Sequence, residues 1–188
     1  MVSKKYLIKV LPVVAWLVSF IFVFNLFDEY TKVYCSLVFY FGIILYFYIL
    51  KDWNFIEWFK SLKEGKSFWL PVLFTIIGML AAFGIGMVIP MMFPDIDTGI
   101  SVYRVNNWAN LTAFALVTVF LAPIANEVFY RKAIIVFNSK SIIIISTIIS
   151  IFLYAAEHSL KPFGFLIACL WAIPFSIAYI KTKNIYVT

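Results

Sequence analysis

The sequence predicts an all-α fold class: a polytopic membrane helix bundle of about six transmembrane helices, N-in and C-in. Of the 188 residues, 64% are hydrophobic and only 13% are charged. The apolar residues form continuous runs of about 20, the length of helix that crosses a hydrocarbon layer of about 30 Å. They lack the alternating pattern that is typical of a membrane β-barrel. A water-soluble core could not bury this much apolar surface, so residues 1–188 are predicted to form a single transmembrane domain.

The apolar runs, separated by short polar connections, give the positions of the predicted spans. They lie at about Leu7–Phe27, Val33–Leu50, Phe68–Met92, Ala109–Ala125 or beyond, Ile142–Leu160 and Phe163–Ile180. The first run follows Lys4 and Lys5, as the apolar region of a signal peptide would. It is longer than such a region, however, and acidic Asp28 and Glu29 follow it without a small-residue cleavage site. We therefore expect an uncleaved first helix.

The distribution of basic residues predicts the orientation of these spans. One predicted side holds the amino end, the connection over residues 51–66 and the carboxyl end, which together carry most of the lysines outside the spans. The opposite side carries only Lys32, Arg104 and Lys161. Because basic residues accumulate on the cytoplasmic side of membrane proteins, both ends are predicted to be cytoplasmic.

The formal net charge of +6 does not indicate a nucleic-acid partner, since the lysines lie in short clusters between apolar runs. Membrane lipid is the partner that this pattern predicts. The richness in Ile, Phe, Tyr, Lys and Asn is typical of proteins encoded by AT-rich bacterial DNA. We therefore expect a multi-pass protein of a bacterial plasma membrane.

The connection over residues 51–66 contains a short amphipathic pattern. Phe55, Trp58, Phe59 and Leu62 recur at helical spacing, which predicts a helix lying on the cytoplasmic surface of the membrane. The alternative is that this helix forms a substrate gate or a partner-docking surface.

The predicted outer connection contains two carboxylates, Asp95 and Asp97. Carboxylates two residues apart can hold a cation weakly. We interpret the segment as a solvated turn instead.

Polar residues interrupt the fourth apolar run at the segment from Pro123 to Lys132. Glu127 and Arg131 are four residues apart, so they share a helix face and are predicted to form an ion pair. An unpaired charge near the bilayer centre costs roughly 2.5–3.5 kcal/mol, and we therefore expect the pair to face protein rather than lipid. The alternative interpretation is a helix-stabilising pair without a chemical role.

The only histidine of the chain, His158, follows Glu157 at the end of the fifth predicted span. The apolar stretch before them is short for a complete crossing, so both are expected in the last turn of the span. Tyr154 lies one turn earlier on the same face, where it can hydrogen-bond or pack against His158. A hydrolytic zinc normally has three protein ligands, which one histidine cannot supply alone. The alternative is an interfacial side chain near an outer loop.

The order and spacing of these residues resemble the motifs of a family of intramembrane metalloprotease-like proteins. This is the CAAX-processing protease and bacteriocin-immunity family, also called CPBP or Abi, and the resemblance covers residues 107–188. Its first motif, Glu-Glu-x-x-x-Arg, is matched by Glu127 and Arg131, with Asn126 at the position of the first Glu. Its second motif, Phe-x-x-x-His, is matched by Tyr154 and His158.

The resemblance implies a metalloendopeptidase that cleaves a membrane peptide or protein. It implies Glu127, Arg131, His158 and the divergent Asn126 as catalytic residues, and a divalent metal such as zinc held by His158. The family's first Glu and its histidines are taken to activate the attacking water, but an amide does not accept a proton at neutral pH. The family's third motif, His-x-x-x-Asn, does not occur in the 188 residues. We therefore expect a degenerate or truncated member, or one whose missing helix a partner chain supplies.

The alternative function is that of a non-enzymatic bacteriocin self-immunity protein, which binds a bacteriocin or its membrane receptor. Transport is a more distant alternative, because neither a repeated half nor paired broken helices are visible in the sequence. The resemblance further predicts that Asn126 and Glu127 on the fourth span approach His158 on the fifth.

Overall fold

A computed structural model of the chain describes residues 4–19, 26–100 and 104–188. Within these ranges the protein has seven helices and no strand, which confirms the all-α fold class. The helices are α1 (Lys4–Val18), α2 (Glu29–Ile49), α3 (Phe55–Leu62), α4 (Lys66–Met92), α5 (Trp108–Ala133), α6 (Lys140–His158) and α7 (Pro162–Thr182). A short 3₁₀ turn, Ile185–Val187, follows α7.

Five helices in the described part of the chain are long and apolar enough to cross a membrane: α2, α4, α5, α6 and α7. They correspond to the last five predicted spans, although α5 runs on to Ala133 and α6 ends at His158. A shorter apolar helix, Ile8–Val18, lies within the first predicted span. Residues 20–25 of that span lie outside the described residues. The protein is therefore a multi-pass membrane protein, whose orientation stays a prediction.

Polar side chains set where several helices begin. The Asp28 carboxylate accepts hydrogen bonds from the backbone amides of Tyr30 and Thr31 at 2.9 Å, which satisfies donors that the first turn of α2 leaves open. These bonds and one from the Thr31 hydroxyl lower the pKa of Asp28. Equivalent side-chain caps begin three further helices: Asn54 for α3, Asn107 for α5 and Ser139 for α6.

The chain divides into two compact units. The first comprises the described parts of residues 1–53 and 102–134, with helices α1, α2 and α5. The second comprises the described parts of residues 54–101 and 135–188, with helices α3, α4, α6 and α7. The prediction of a single transmembrane domain stays a prediction.

The first unit is held together where α5 packs on α1 and α2. Val33 of α2 and Ala113 and Val117 of α5 form a buried apolar cluster. Nearer the carboxyl ends of the same helices, Phe47 is completely buried and packs against Phe129, with ring centroids 6.3 Å apart. The position of α5 in this unit therefore follows from apolar packing both before its polar segment and within it.

The second unit is built on close packing of α6, α7 and α4. Small residues recur at every fourth position along one face of α7 and are buried: Gly164, Ala168, Ala172 and Ser176. Ser146 and Ser150 of α6 are buried as well. Small side chains allow helix backbones to approach closely in a membrane, where apolar burial alone does not drive association. This packing brings the end of α6, with His158, against α7.

Candidate functional site

The polar segment of α5 lies in a helix with irregular hydrogen bonding. The backbone is π-helical over Leu116–Leu121 and again over Glu127–Ala133, with an α-helical stretch, Ala122–Asn126, between them. Pro123, in that stretch, has no amide hydrogen to donate. Single π-helical turns are rare and occur frequently at functional sites. Glu127 and Arg131 therefore lie on an unusual stretch of backbone that the sequence pattern did not predict.

Glu127 and Arg131 form the predicted ion pair. Arg131 Nε lies 3.4 Å from Glu127 Oε2, which is an ion-pair distance but long for a direct hydrogen bond. The side chain of Arg131 is completely buried, and that of Glu127 is 9% exposed. The prediction that the pair faces protein is confirmed within the first unit.

Apolar and aromatic side chains surround this pair. Val128, Phe129 and Tyr130 are all buried, and the rings of Phe129 and Tyr130 meet edge to face at 4.8 Å. Charges interact more strongly in such a low-dielectric setting, and leaving one of them alone there is correspondingly costly. Asn126, one residue before the pair, is only half-buried. The partly exposed side chain at this motif position is thus an amide.

His158 lies in the last turn of α6, as predicted, and Tyr154 contacts it. The two rings stack with centroids 4.2 Å apart and an interplanar angle of 29°. His158 Nδ1 also lies 2.9 Å from the backbone oxygen of Tyr154. Trp171 of α7 approaches the imidazole edge to face at 6.2 Å. Sequence reasoning missed Trp171, because only the packing of α7 on α6 brings it to His158.

The residues directly after His158 contact the described part of the connection between α4 and α5. Ser159 Oγ donates to the backbone oxygen of Thr98 at 2.6 Å and accepts from the amide of Lys161 at 3.0 Å. The Lys161 ammonium pairs with Asp97, and the Gly99 amide donates to the same carboxylate at 2.8 Å. The hydrogen bond from Lys161, followed by that from Gly99, lowers the pKa of Asp97. The 70% exposed Asp97 side chain is paired with Lys161, which favours the interpretation of the segment as a solvated turn over a cation site.

The described residues do not fit a hydrolytic zinc site. They contain no group of three or more His, Cys, Asp or Glu side chains that could hold a metal ion. A zinc ion that activates water needs three protein ligands and one open position. His158, the single histidine of the sequence, is therefore without a ligand set of that kind in the described chain.

The predicted site residues fall in two places. Asn126, Glu127 and Arg131 belong to the first unit, and His158 belongs to the second. The structure brings Glu127 to Arg131, and Tyr154 to His158. The predicted approach of Asn126 and Glu127 to His158 stays a prediction, as do the catalytic roles of these residues.

Comparison with known proteins gives one match. Residues 108–188 match the family model described as Type II CAAX prenyl endopeptidase Rce1-like. The matched region begins at the first residue of α5 and includes all four predicted site residues. No curated protein and no solved structure matches the chain. The match agrees with the resemblance drawn from the two motifs: residues 108–188 are similar in sequence to the Rce1-like family of Type II CAAX prenyl endopeptidases.

Proposed function

We propose that this protein binds a prenylated peptide in the membrane and does not by itself catalyse metal-dependent hydrolysis of that peptide. The class of ligand follows from the family that residues 108–188 resemble. The observation that carries the proposal is Asn126, a half-buried amide directly before the buried Glu127–Arg131 pair.

The chemistry of Asn126 supports binding rather than hydrolysis. A general base must take a proton from the attacking water, and an amide does not do so at neutral pH. The same amide offers two N–H donors and a carbonyl acceptor, so it can hydrogen-bond both the C=O and the N–H of a peptide group. Asn126 is therefore assigned the role of a peptide-binding residue.

The neighbouring pair supports the same assignment. The Glu127 carboxylate lies against Arg131, and both side chains are enclosed by protein. A carboxylate held in this way has little freedom to move to a substrate. We assign the pair a positioning role: it holds the π-helical segment and, through it, the direction of Asn126.

The lack of fit to a zinc site supports the second half of the proposal. The described residues offer no three-ligand group, and a catalytic zinc with fewer protein ligands would be held weakly. Hydrolysis by this chain would then need ligands from another chain, as expected for a family member that a partner completes.

The proposal is tested with the purified chain in phospholipid nanodiscs and a fluorescent farnesylated peptide that ends in a C-a-a-X sequence. Binding is followed by fluorescence polarisation and cleavage by mass spectrometry, with zinc and with a chelator. We expect saturable binding that the unlabelled farnesylated peptide competes, and an intact peptide under both conditions. Asn126→Ala should weaken binding about 5–10-fold, the effect of one or two hydrogen bonds.

The matched control is Asn106→Ala, which removes an exposed asparagine before α5 and should leave binding unchanged. Chelator-sensitive release of the three carboxyl-terminal residues would overturn the claim about hydrolysis. The claim that the chain binds the peptide through Asn126 would be overturned in either of two cases. One is that the unlabelled peptide does not compete for binding, and the other is that Asn126→Ala binds as well as the parent.

A further inference from the structure

A row of aromatic rings from three helices of the second unit ends at His158. Phe83 of α4 stacks on Trp171 of α7, with centroids 4.7 Å apart and an interplanar angle of 15°. Trp171 meets the imidazole of His158 at an interplanar angle of 83°, and Tyr154 stacks on that imidazole. The imidazole is thus in contact with an aromatic ring from its own helix and with another from α7.

The backbone of α6 determines which ring nitrogen of His158 carries a proton. Nδ1 lies 2.9 Å from the carbonyl oxygen of Tyr154, and a carbonyl oxygen can only accept a hydrogen bond. Nδ1 must therefore be the protonated nitrogen. In the neutral ring, Nε2 then holds the lone pair and is the atom that can accept a hydrogen bond or a proton.

Helix α4 holds Trp171 in place. A Cβ atom added at Gly86 would lie 3.4 Å from Trp171 Nε1 and 3.2 Å from the Ile167 side chain. The missing side chain lets the backbone of α4 lie close to the indole, while Phe83 covers a face of the same ring. Trp171 is therefore fixed between α4 and the imidazole.

Hydrogen bonding by the indole N–H does not explain why a tryptophan occupies position 171. Trp171 Nε1 is buried, and it has no hydrogen-bond acceptor among the described residues. A buried donor without an acceptor destabilises the folded protein. The contribution of Trp171 must therefore come from the contacts of its ring, which a phenylalanine ring can partly reproduce.

We propose that Trp171 is a positioning residue for His158. Together with Tyr154 it fixes the imidazole in the Nδ1–H form, so that Nε2 is left as the acceptor nitrogen of the ring. The inference concerns residues of the second unit alone and goes beyond the proposed function. The arrangement of the rings is measured without peptide, so the positioning role of Trp171 and the proposed peptide binding can fail separately.

The test uses the full chain in nanodiscs with ¹⁵N-labelled histidine. Since the sequence contains one histidine, the nitrogen spectrum reports on His158 alone. For the neutral imidazole we expect one set of signals with a protonated Nδ1 and an unprotonated Nε2. A protonated Nε2 in the parent protein would overturn the proposal.

Variants separate positioning from general stability. Trp171→Leu should replace the single tautomer by signals averaged between the two forms, whereas Trp171→Phe should keep the parent spectrum with equal or higher thermal stability. Phe83→Leu leaves Trp171 in place and should change the nitrogen signals of His158 less, in the same direction. It replaces Trp171→Leu in the test if that variant does not fold. Trp69→Leu, at the other end of α4, is the matched control and should change nothing. A parent-like spectrum in both Trp171→Leu and Phe83→Leu would contradict the positioning role.

Discussion

At the scale of single residues, two of the ion pairs in the described part of the first unit differ in burial. Glu127 and Arg131 are enclosed by protein. Glu29 and Arg104 are 2.8 Å apart, but their side chains are 51% and 72% exposed. Exposed pairs contribute about 0–1 kcal/mol, because water solvates either partner when the other is removed. Removing one partner of a buried pair leaves a charge without compensation and costs about 3–5 kcal/mol.

We therefore predict that Glu127→Gln and Arg131→Gln each lower the thermal unfolding temperature and the amount of protein in the membrane. The double variant should lose less than the sum of the two single losses, because it leaves no lone buried charge. Thermal unfolding of the purified variants in detergent measures both effects.

The exposed pair supplies the control for this prediction. Glu29→Gln and Arg104→Gln should each stay close to the parent protein. If Glu127→Gln and Arg131→Gln were equally mild, the pair would not be a structural element of the first unit.

Contacts within one helix could be predicted from residue spacing. The pairs Glu127–Arg131 and Tyr154–His158 are each four residues apart, and the structure contains both contacts. Trp171 could not be predicted, since its contact with His158 depends on how α7 packs on α6. The immunity function and a bacteriocin partner stay predictions, because residue spacing says nothing about binding partners.

At the scale of structural elements, the segment after α7 is fastened to the start of α3. The Tyr186 hydroxyl donates to the backbone oxygen of Asn54 at 3.0 Å and accepts from the Asn54 amide at 3.2 Å. Asn184 Nδ2 donates to Ser61 Oγ at 3.3 Å. Burial raises the pKa of Tyr186, and the negative charge of Glu57 acts in the same direction. The phenol is therefore protonated at neutral pH and able to donate.

We predict that Tyr186→Phe speeds hydrogen exchange of the backbone amides of α3 about fivefold, since it removes hydrogen bonds with a net value of about 1 kcal/mol. The pKa of Tyr186 is raised in the folded protein, so the stabilisation by its hydrogen bonds is fully present below the unfolded pKa of about 10. That stabilisation is lost as the pH rises through the pKa of the folded protein. After correction for the pH dependence of intrinsic exchange, the protection of α3 in the parent protein should therefore fall only above about pH 10.

Tyr34→Phe, at a 42% exposed tyrosine of α2, is the control for this prediction. Unchanged exchange over Phe55–Leu62 in Tyr186→Phe would show that other contacts hold α3.

Gly164 permits the close approach of Thr98, in the connection between α4 and α5, to α7. A Cβ atom at this position would lie 1.8 Å from the Thr98 carbonyl oxygen and 2.6 Å from Ser159 Oγ. We predict that Gly164→Ala lowers stability by about 1–3 kcal/mol, because backbone must move to make room. Gly84→Ala on α4 meets nothing within 4 Å and should be neutral or slightly stabilising. Equal unfolding temperatures for the two variants would contradict the close contact at Thr98.

The sequence predicted helices more accurately than the connections between them. The amphipathic pattern located α3, and the apolar runs located the last five spans within a few residues. The irregular backbone of α5 could not be predicted, because Pro123 indicates only that a hydrogen bond is missing and not how the helix compensates. The contact of Thr98 with Ser159 joins residues 61 positions apart, which no local pattern indicates.

At the scale of the whole molecule, we propose that the region similar to the CAAX prenyl endopeptidases binds a prenylated peptide through α5. The composition and the long apolar helices make the protein a multi-pass membrane protein. Orientation and lipid contacts stay predictions, since they depend on a bilayer as well as on the chain. The family match extends over residues 108–188, and the proposed peptide-binding residue, Asn126, lies within it.

The most direct measurement is photo-crosslinking of a farnesylated C-a-a-X peptide, carrying a photoreactive group near its prenylated cysteine, to the chain in nanodiscs. The crosslinked residues are identified by mass spectrometry. We predict crosslinks within residues 108–188, including the stretch Ala122–Asn126, and a lower yield in Asn126→Ala with an unchanged yield in Asn106→Ala. Crosslinks confined to residues before Trp108, with a yield that Asn126→Ala does not change, would contradict the claim.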